Sequence, residues 1–168
     1  MTIEPTDSAQ VAGNGAPNGL DMARLQTTIG FLLLGGWRFA NHYFNQHFKD
    51  IDITPASYGV LLLIEANPGC SIGSVGKAMG IAPNSIARLL DGLVERGLVT
   101  KSISATDART RMLELAEPGR ALLAILSRRH ADYEREFEAL LGRDRHDALC
   151  ALLRPFAGSG PLEELPRF

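Results

Sequence analysis

The sequence predicts a mainly α-helical protein with one small β-hairpin, arranged around a helix, turn, helix, hairpin order between Ser71 and Arg111. Three observations lead there. Apolar residues recur at helical spacing through most of the chain from Asp21 to Leu153. Directly after the second of two short helical patterns come two strand-like runs around a polar loop, Ser104 to Arg109. The stretch from Ser71 to Arg111 is also basic, with Lys77, Arg88, Arg96, Lys101, Arg109 and Arg111 against Asp91, Glu95 and Asp107, inside a chain whose formal net charge is −2. A basic module in an acidic chain points to a phosphate-bearing partner met by one face.

Composition sets the outer limits. At 168 residues the chain fits one domain with helical extensions and can bury a sizeable core. Its 45% apolar and 21% charged content excludes a fibre and a disordered chain. The first twenty residues contain no Lys, Arg or apolar h-region, so no secretory signal is expected. The longest apolar run, Ile29 to Trp37, is closed by Arg38 and falls far short of the roughly 20 residues that span a bilayer. A cytoplasmic protein is therefore expected. Cys70 and Cys150 stand far apart in different elements, which gives neither a disulfide framework nor a metal-ligand spacing.

Residues 1–19 are rich in Gly, Pro, Thr, Ser and Asn, cannot offset the entropy of ordering, and read as a flexible tail. From Asp21 to about His47, Met22, Leu25, Ile29, Leu32, Leu33, Phe39, Tyr43 and Phe44 mark a long amphipathic helix, the core of an N-terminal segment at 20–50. Gly30, Gly35 and Gly36 disfavour its interior, so either something packs very close there or the helix bends or splits beside Trp37. Trp37, Arg38, His42 and Tyr43 combine aromatic surface with polar tips, which suits the wall of a small-molecule pocket; the plainer reading of the same spacing is a core-facing aromatic stripe with solvent-facing polar neighbours.

Thr54-Pro55 opens the next helix with an N-cap and a proline at the first position, and Asn67-Pro68-Gly69 ends it. Ser71 caps a short helix that Gly80 stops. Pro83 starts another, in which Ile86, Leu89, Leu90, Leu93 and Val94 form an apolar stripe. The opposite edge near the N-terminus carries Asn84, Ser85, Ala87 and Arg88, small or polar side chains able to enter a major groove; Asn can pair with adenine, and Arg with guanine or phosphate. Leu98–Ile103 and Thr110–Leu115 read as strands, and Asp107 can hold the tip of their loop while Arg109 projects into a minor groove. Glu117-Pro118-Gly119 begins a long helix to about Leu141, with Leu122, Leu126, Tyr133, Phe137 and Leu140 on one face, interrupted by the charged Arg129. A last helix runs from about Asp144 to Leu153, and residues 158–168 form a C-terminal tail.

The span from Ile53 to about Leu123 resembles the MarR family of bacterial transcriptional regulators. The resemblance is carried by ITPASYGVLLLI, IAPNSIARLLDGLVERGLV and DARTRMLELAEPGRALL, with Arg88-Leu89-Leu90-Asp91, Glu95 to Val99, and Asp107-x-Arg109 as its most specific parts. It implies a winged helix-turn-helix DNA-binding lobe at 51–116, flanked by N-terminal (20–50) and C-terminal (117–157) dimerisation helices. It further implies a homodimer on a pseudo-palindromic operator in double-stranded DNA, and a small aromatic or anionic ligand for which Trp37, Arg38, His42, Tyr43 and Tyr58 are the candidates. Ala82 and Ala116 stand where Ser or Thr caps are usual, and Gly73, Ser74 and Gly76 where Ala or Glu is common. The N-terminal helix lacks the cysteine used by the peroxide-sensing branch.

The expected function is a ligand-responsive transcriptional repressor. Asn84, Ser85, Ala87 and Arg88 would face the bases, Arg109 the minor groove, and Lys77, Lys101 and Arg111 the phosphates. The alternative is a winged-helix dimer serving as a protein-interaction module without an operator. No enzyme is expected, because no nucleophile, base and orienting group form a recognisable motif and no phosphate-cradling loop occurs. His42, His47, His130 and His146 are scattered, so neither a metal nor a cofactor is expected.

Overall fold

Element boundaries follow local signals in the computed structural model, which describes residues 20–103 and 111–157. The chain divides into two units, with the break after His42 inside the second helix. In the first unit a short helix α1 (Ala23–Gln26) precedes α2 (Ile29–His47). The interruption expected beside Trp37 falls instead at Thr27 and Thr28, whose hydroxyls both donate to the Arg24 carbonyl, at 2.8 and 3.2 Å. Side-chain hydroxyls compete there with the helical backbone. Helix α2 runs unbroken through Gly30, Gly35 and Gly36, and a Cβ at any of the three would find nothing within 4 Å. The close neighbour that these glycines predicted is not found among the described residues.

The second unit begins at Tyr43. Helix α3 (Pro55–Ala66) starts where Thr54 Oγ1 accepts from the Ser57 amide at 3.1 Å. After β1 (Cys70–Ser71), α4 (Ile72–Met79) opens with a reciprocal capping box between Ser71 and Ser74, so the unusual Ser74 strengthens this end. Gly80, at φ +62°, closes α4 in the left-handed conformation that favours glycine. Helix α5 (Pro83–Glu95) enters through Pro83 with no side-chain cap from Ala82. Strands β2 (Val99–Ile103) and β3 (Arg111–Leu115) pair antiparallel, Val99 with Leu115 and Ile103 with Arg111. The loop tip predicted to carry Asp107 and Arg109 lies outside the described residues. β1 was not expected; it pairs with the far edge of β3, Cys70 opposite Leu113, giving the order β1-β3-β2.

The long helix α6 (Glu117–Leu141) and α7 (Arg143–Leu153) follow. One core fills the second unit: Phe44 and Phe48 from the end of α2, Tyr58, Leu61 and Ile64 from α3, Ile86 and Leu90 from α5, Leu113 and Leu115 from β3, and Leu123, Leu126 and Tyr133 from α6. Gly119 is the tightest point of this packing, because a Cβ there would meet the Leu98 carbonyl oxygen at 2.0 Å. The buried face of α6 differs in part from the predicted one. Leu126 and Tyr133 are buried, Leu123 joins them, Leu122 and Phe137 are half-buried, and Leu140 is exposed. Arg129, which interrupted the predicted apolar face, forks onto Asp50 through bonds of 2.5 and 2.8 Å. That guanidinium holds the Asp50 carboxyl below its usual range, and the carboxylate raises Arg129 in return. Among the described residues no helix is long and apolar enough to cross a membrane.

Candidate nucleic-acid interface

Helix α5 is fixed by its buried stripe. Ile86, Leu90 and Leu93 point into the core, and Leu89 and Val94 border it. Asn84, Ser85 and Arg88 are exposed on the opposite side, and Ala87 is half-buried between the two faces. Helix α4 seats the N-terminal end of α5: the Ile81 amide donates to the Gly76 carbonyl at 3.0 Å, and a Cβ at Gly76 would lie 3.1 Å from Ile86 Cγ2. The helices therefore approach closely through a glycine, and the polar edge of α5 is presented on a rigid support.

The basic side chains of this unit are in different states. Lys77 is exposed on α4, and Arg111 is exposed where β3 begins. Lys101 is only partly exposed and donates to Asp91 Oδ1 of α5 at 2.5 Å. Arg96, at the C-cap of α5, lies 3.8 Å from Asp52. The Asp91 partner of Lys101 escaped the sequence reading, although Asp91 follows Arg88 by three residues and Asn84 by seven, a spacing that keeps all three on one helix edge.

Comparison with known proteins decides the family. The sequence model of the MarR family matches residues 51–110. The protein assigned to transcriptional regulation of the hcr operon in Thauera aromatica is 30% identical over 146 residues, covering 83% of this chain and 88% of that protein. The chain belongs to the MarR family. Among solved structures, the transcriptional repressor CouR bound to a 23-mer DNA duplex matches with a TM-score of 0.78 and 34% identity, over 82% of this chain and 98% of CouR. CouR bound to p-coumaroyl-CoA matches with a TM-score of 0.76 and 32% identity, over 82% and 97%. This protein is accordingly a MarR-family transcriptional regulator with a winged-helix fold, as its residues implied.

The ligand candidates of this MarR-family chain fall in both units. Trp37, Arg38 and His42 are exposed on α2 in the first. Tyr43 and Tyr58 belong to an aromatic cluster in the second. The Tyr58 ring is buried, 6.3 Å from Phe44, 6.4 Å from Phe48 and 5.1 Å from the His130 imidazole. Tyr43 is half-buried against Tyr133 and Phe137, and its hydroxyl donates to Glu136 Oε2 at 2.7 Å. This bond raises the Tyr43 phenol and lowers the Glu136 carboxyl, and His47 Nε2, 3.2 Å from the same oxygen, lowers it further. Sequence reasoning missed His47, Tyr133 and Glu136, because the contacts cross from α2 to α6.

Cys70 is half-buried, and desolvation pushes its thiol up, away from thiolate chemistry. Cys150 is exposed, with its Sγ 3.8 Å from His146 Nε2. Among the described residues no group of three or more His, Cys, Asp or Glu side chains is placed to hold a metal ion.

Proposed function

We propose that this regulator is a homodimeric, ligand-responsive repressor acting in the cytoplasm on a pseudo-palindromic operator, with no catalytic step. The single observation that carries the reading is the exposed Asn84, Ser85 and Arg88 edge of α5, set on a fully buried stripe in a fold matching DNA-bound CouR at 34% identity. Asn84, Ser85, Ala87 and Arg88 approach the base edges, while Lys77 and Arg111 serve the phosphates. Arg109, steadied by Asp107, reaches the flanking minor groove.

Pairing of two chains is supported by the apolar side chains left exposed, Leu33, Trp37 and Phe39 on α2 and Leu149 and Leu152 on α7. A two-fold dimer would set two α5 helices about one DNA turn apart, roughly 34–36 Å. CouR binds p-coumaroyl-CoA, so an aromatic acyl thioester of coenzyme A is the first ligand class to test. Trp37, Arg38, His42, Tyr43 and Tyr58 are the residues to vary. A ligand acts here by binding one arrangement of the dimer better than another.

Footprinting of the purified protein on the DNA around its own gene, repeated with aromatic acids and their coenzyme A thioesters, tests this reading. It predicts a two-fold symmetric protected site that one class of ligand abolishes. Absence of any salt-sensitive, sequence-selective protection would support the protein-interaction module instead.

A further inference from the structure

Asp91 is an unfavourable residue for a DNA-reading edge. It lies on the same stripe of α5 as Asn84 and Arg88, so its carboxylate repels phosphate, and at three residues from Arg88 it is placed to capture that guanidinium as an intrahelical partner. The structure gives it another partner. Lys101 Nζ of β2 donates to Asp91 Oδ1 at 2.5 Å, and among the described residues the Arg88 side chain makes no hydrogen bond or ion pair.

The origin of Lys101 explains the arrangement. It is the cross-strand partner of Leu113, which is fully buried, and directly opposed residues carry their side chains on one face of the sheet. Lys101 therefore leaves β2 on the core side, its stem covered, and its ammonium emerges at α5; its side chain is only 21% exposed.

We propose that Lys101 serves DNA recognition through Asp91: by holding that carboxylate it leaves Arg88 available to a base edge, which makes Lys101 a positioning residue for specificity. The proposal rests on the DNA-binding reading above. It separates two substitutions that remove the same ion pair. In Lys101→Met the carboxylate is released and captures Arg88. In Asp91→Asn no carboxylate remains to capture it.

The test uses the full-length protein and a duplex selected from a randomised pool by the wild type. Affinity is measured across a salt series and on duplexes bearing single base-pair substitutions, with thermal midpoints recorded for every variant. Lys101→Met is expected to weaken binding roughly twofold and to reduce discrimination at the base pair read by Arg88, with its salt slope unchanged. Asp91→Asn is expected to bind at least as well as the wild type, and the double variant to regain both affinity and discrimination. A salt slope reduced by about one in Lys101→Met, without rescue by Asp91→Asn, would instead make Lys101 a phosphate contact and overturn the proposal. Equal loss in the two single variants would overturn it as well, because a merely structural pair predicts that result. Failure of the wild type itself to select any duplex would sink the DNA-binding reading, and is distinct from every outcome in which only the variants differ.

Discussion

Gly119→Ala and Gly92→Ala add the same methyl group to two helices and should move stability in opposite directions. At Gly119 the new Cβ would stand 2.0 Å from the Leu98 carbonyl oxygen and 2.9 Å from its carbon. Ordinary carbon to oxygen contacts lie near 3.3 Å or beyond, so the two backbones must separate by about 1 Å or more. That carbonyl also accepts from the Ala116 amide at 3.0 Å, a bond the shift would strain or break. Overpacking costs about 1–3 kcal/mol and an unsatisfied buried backbone group about as much again, so a loss of about 3 kcal/mol is the working figure. For a chain of this size that corresponds to a fall in Tm of roughly 6–12 °C. A Cβ at Gly92, one turn from the end of α5, meets nothing within 4 Å. There alanine relieves the helical penalty of glycine and should add about 0.5–1 kcal/mol. Thermal unfolding of both variants at one protein concentration checks the pair. An unchanged midpoint for Gly119→Ala would refute the seating of the α6 N-terminus on Leu98, and with it the geometry that fixes the start of β2.

Two further outcomes follow from the structure, and a third from the sequence of the wing. Leu90→Ala empties a fully buried site between α5 and the core and should cost about 2–5 kcal/mol in denaturant unfolding. Arg129→Met tests the sign of the Asp50 shift: a carboxyl held low in the folded state stabilises above its unfolded value of about 3.9, and that stability is lost as pH falls through the lower folded value. Wild type should therefore exceed Arg129→Met at neutral pH, and the two stability curves should converge in strong acid; parallel curves would show that the pair contributes nothing. Arg109→Ala should weaken operator binding with little change in folding, and an unchanged gel-shift titration would remove the wing assignment.

The helices and the hairpin were legible because their signals are local and periodic. Pro83 and the Ile86, Leu90, Leu93 stripe placed α5, and Glu117-Pro118 placed the start of α6. Strand β1 left no such signal, since two residues have no period; it forms because Cys70 and Ser71 find the open edge of β3. The glycines suggested either a close neighbour or a bend or split beside Trp37, whereas the helix is interrupted at Thr27 and Thr28, whose hydroxyls bond the Arg24 carbonyl. The polar edge of α5 could be read from the helical spacing, but the partners around it could not. Asp50 and Arg129 meet across 79 positions and Lys101 meets Asp91 between a strand and a helix, and no sequence period links such pairs. Tyr58 entered only as a ligand candidate of the resembled family, and the burial of its ring beside Phe44, Phe48 and His130 is likewise a packing that no sequence period shows.

The central claim is that the outward edge of α5 reads bases, and Arg88→Ala tests it most directly when wild type and variant are titrated against duplexes carrying every single base-pair substitution of the selected operator. The account predicts that the variant loses about 1–3 kcal/mol of discrimination at one base pair in each half-site and keeps its preferences elsewhere. A uniform weakening across all duplexes, or no change on any, would contradict it.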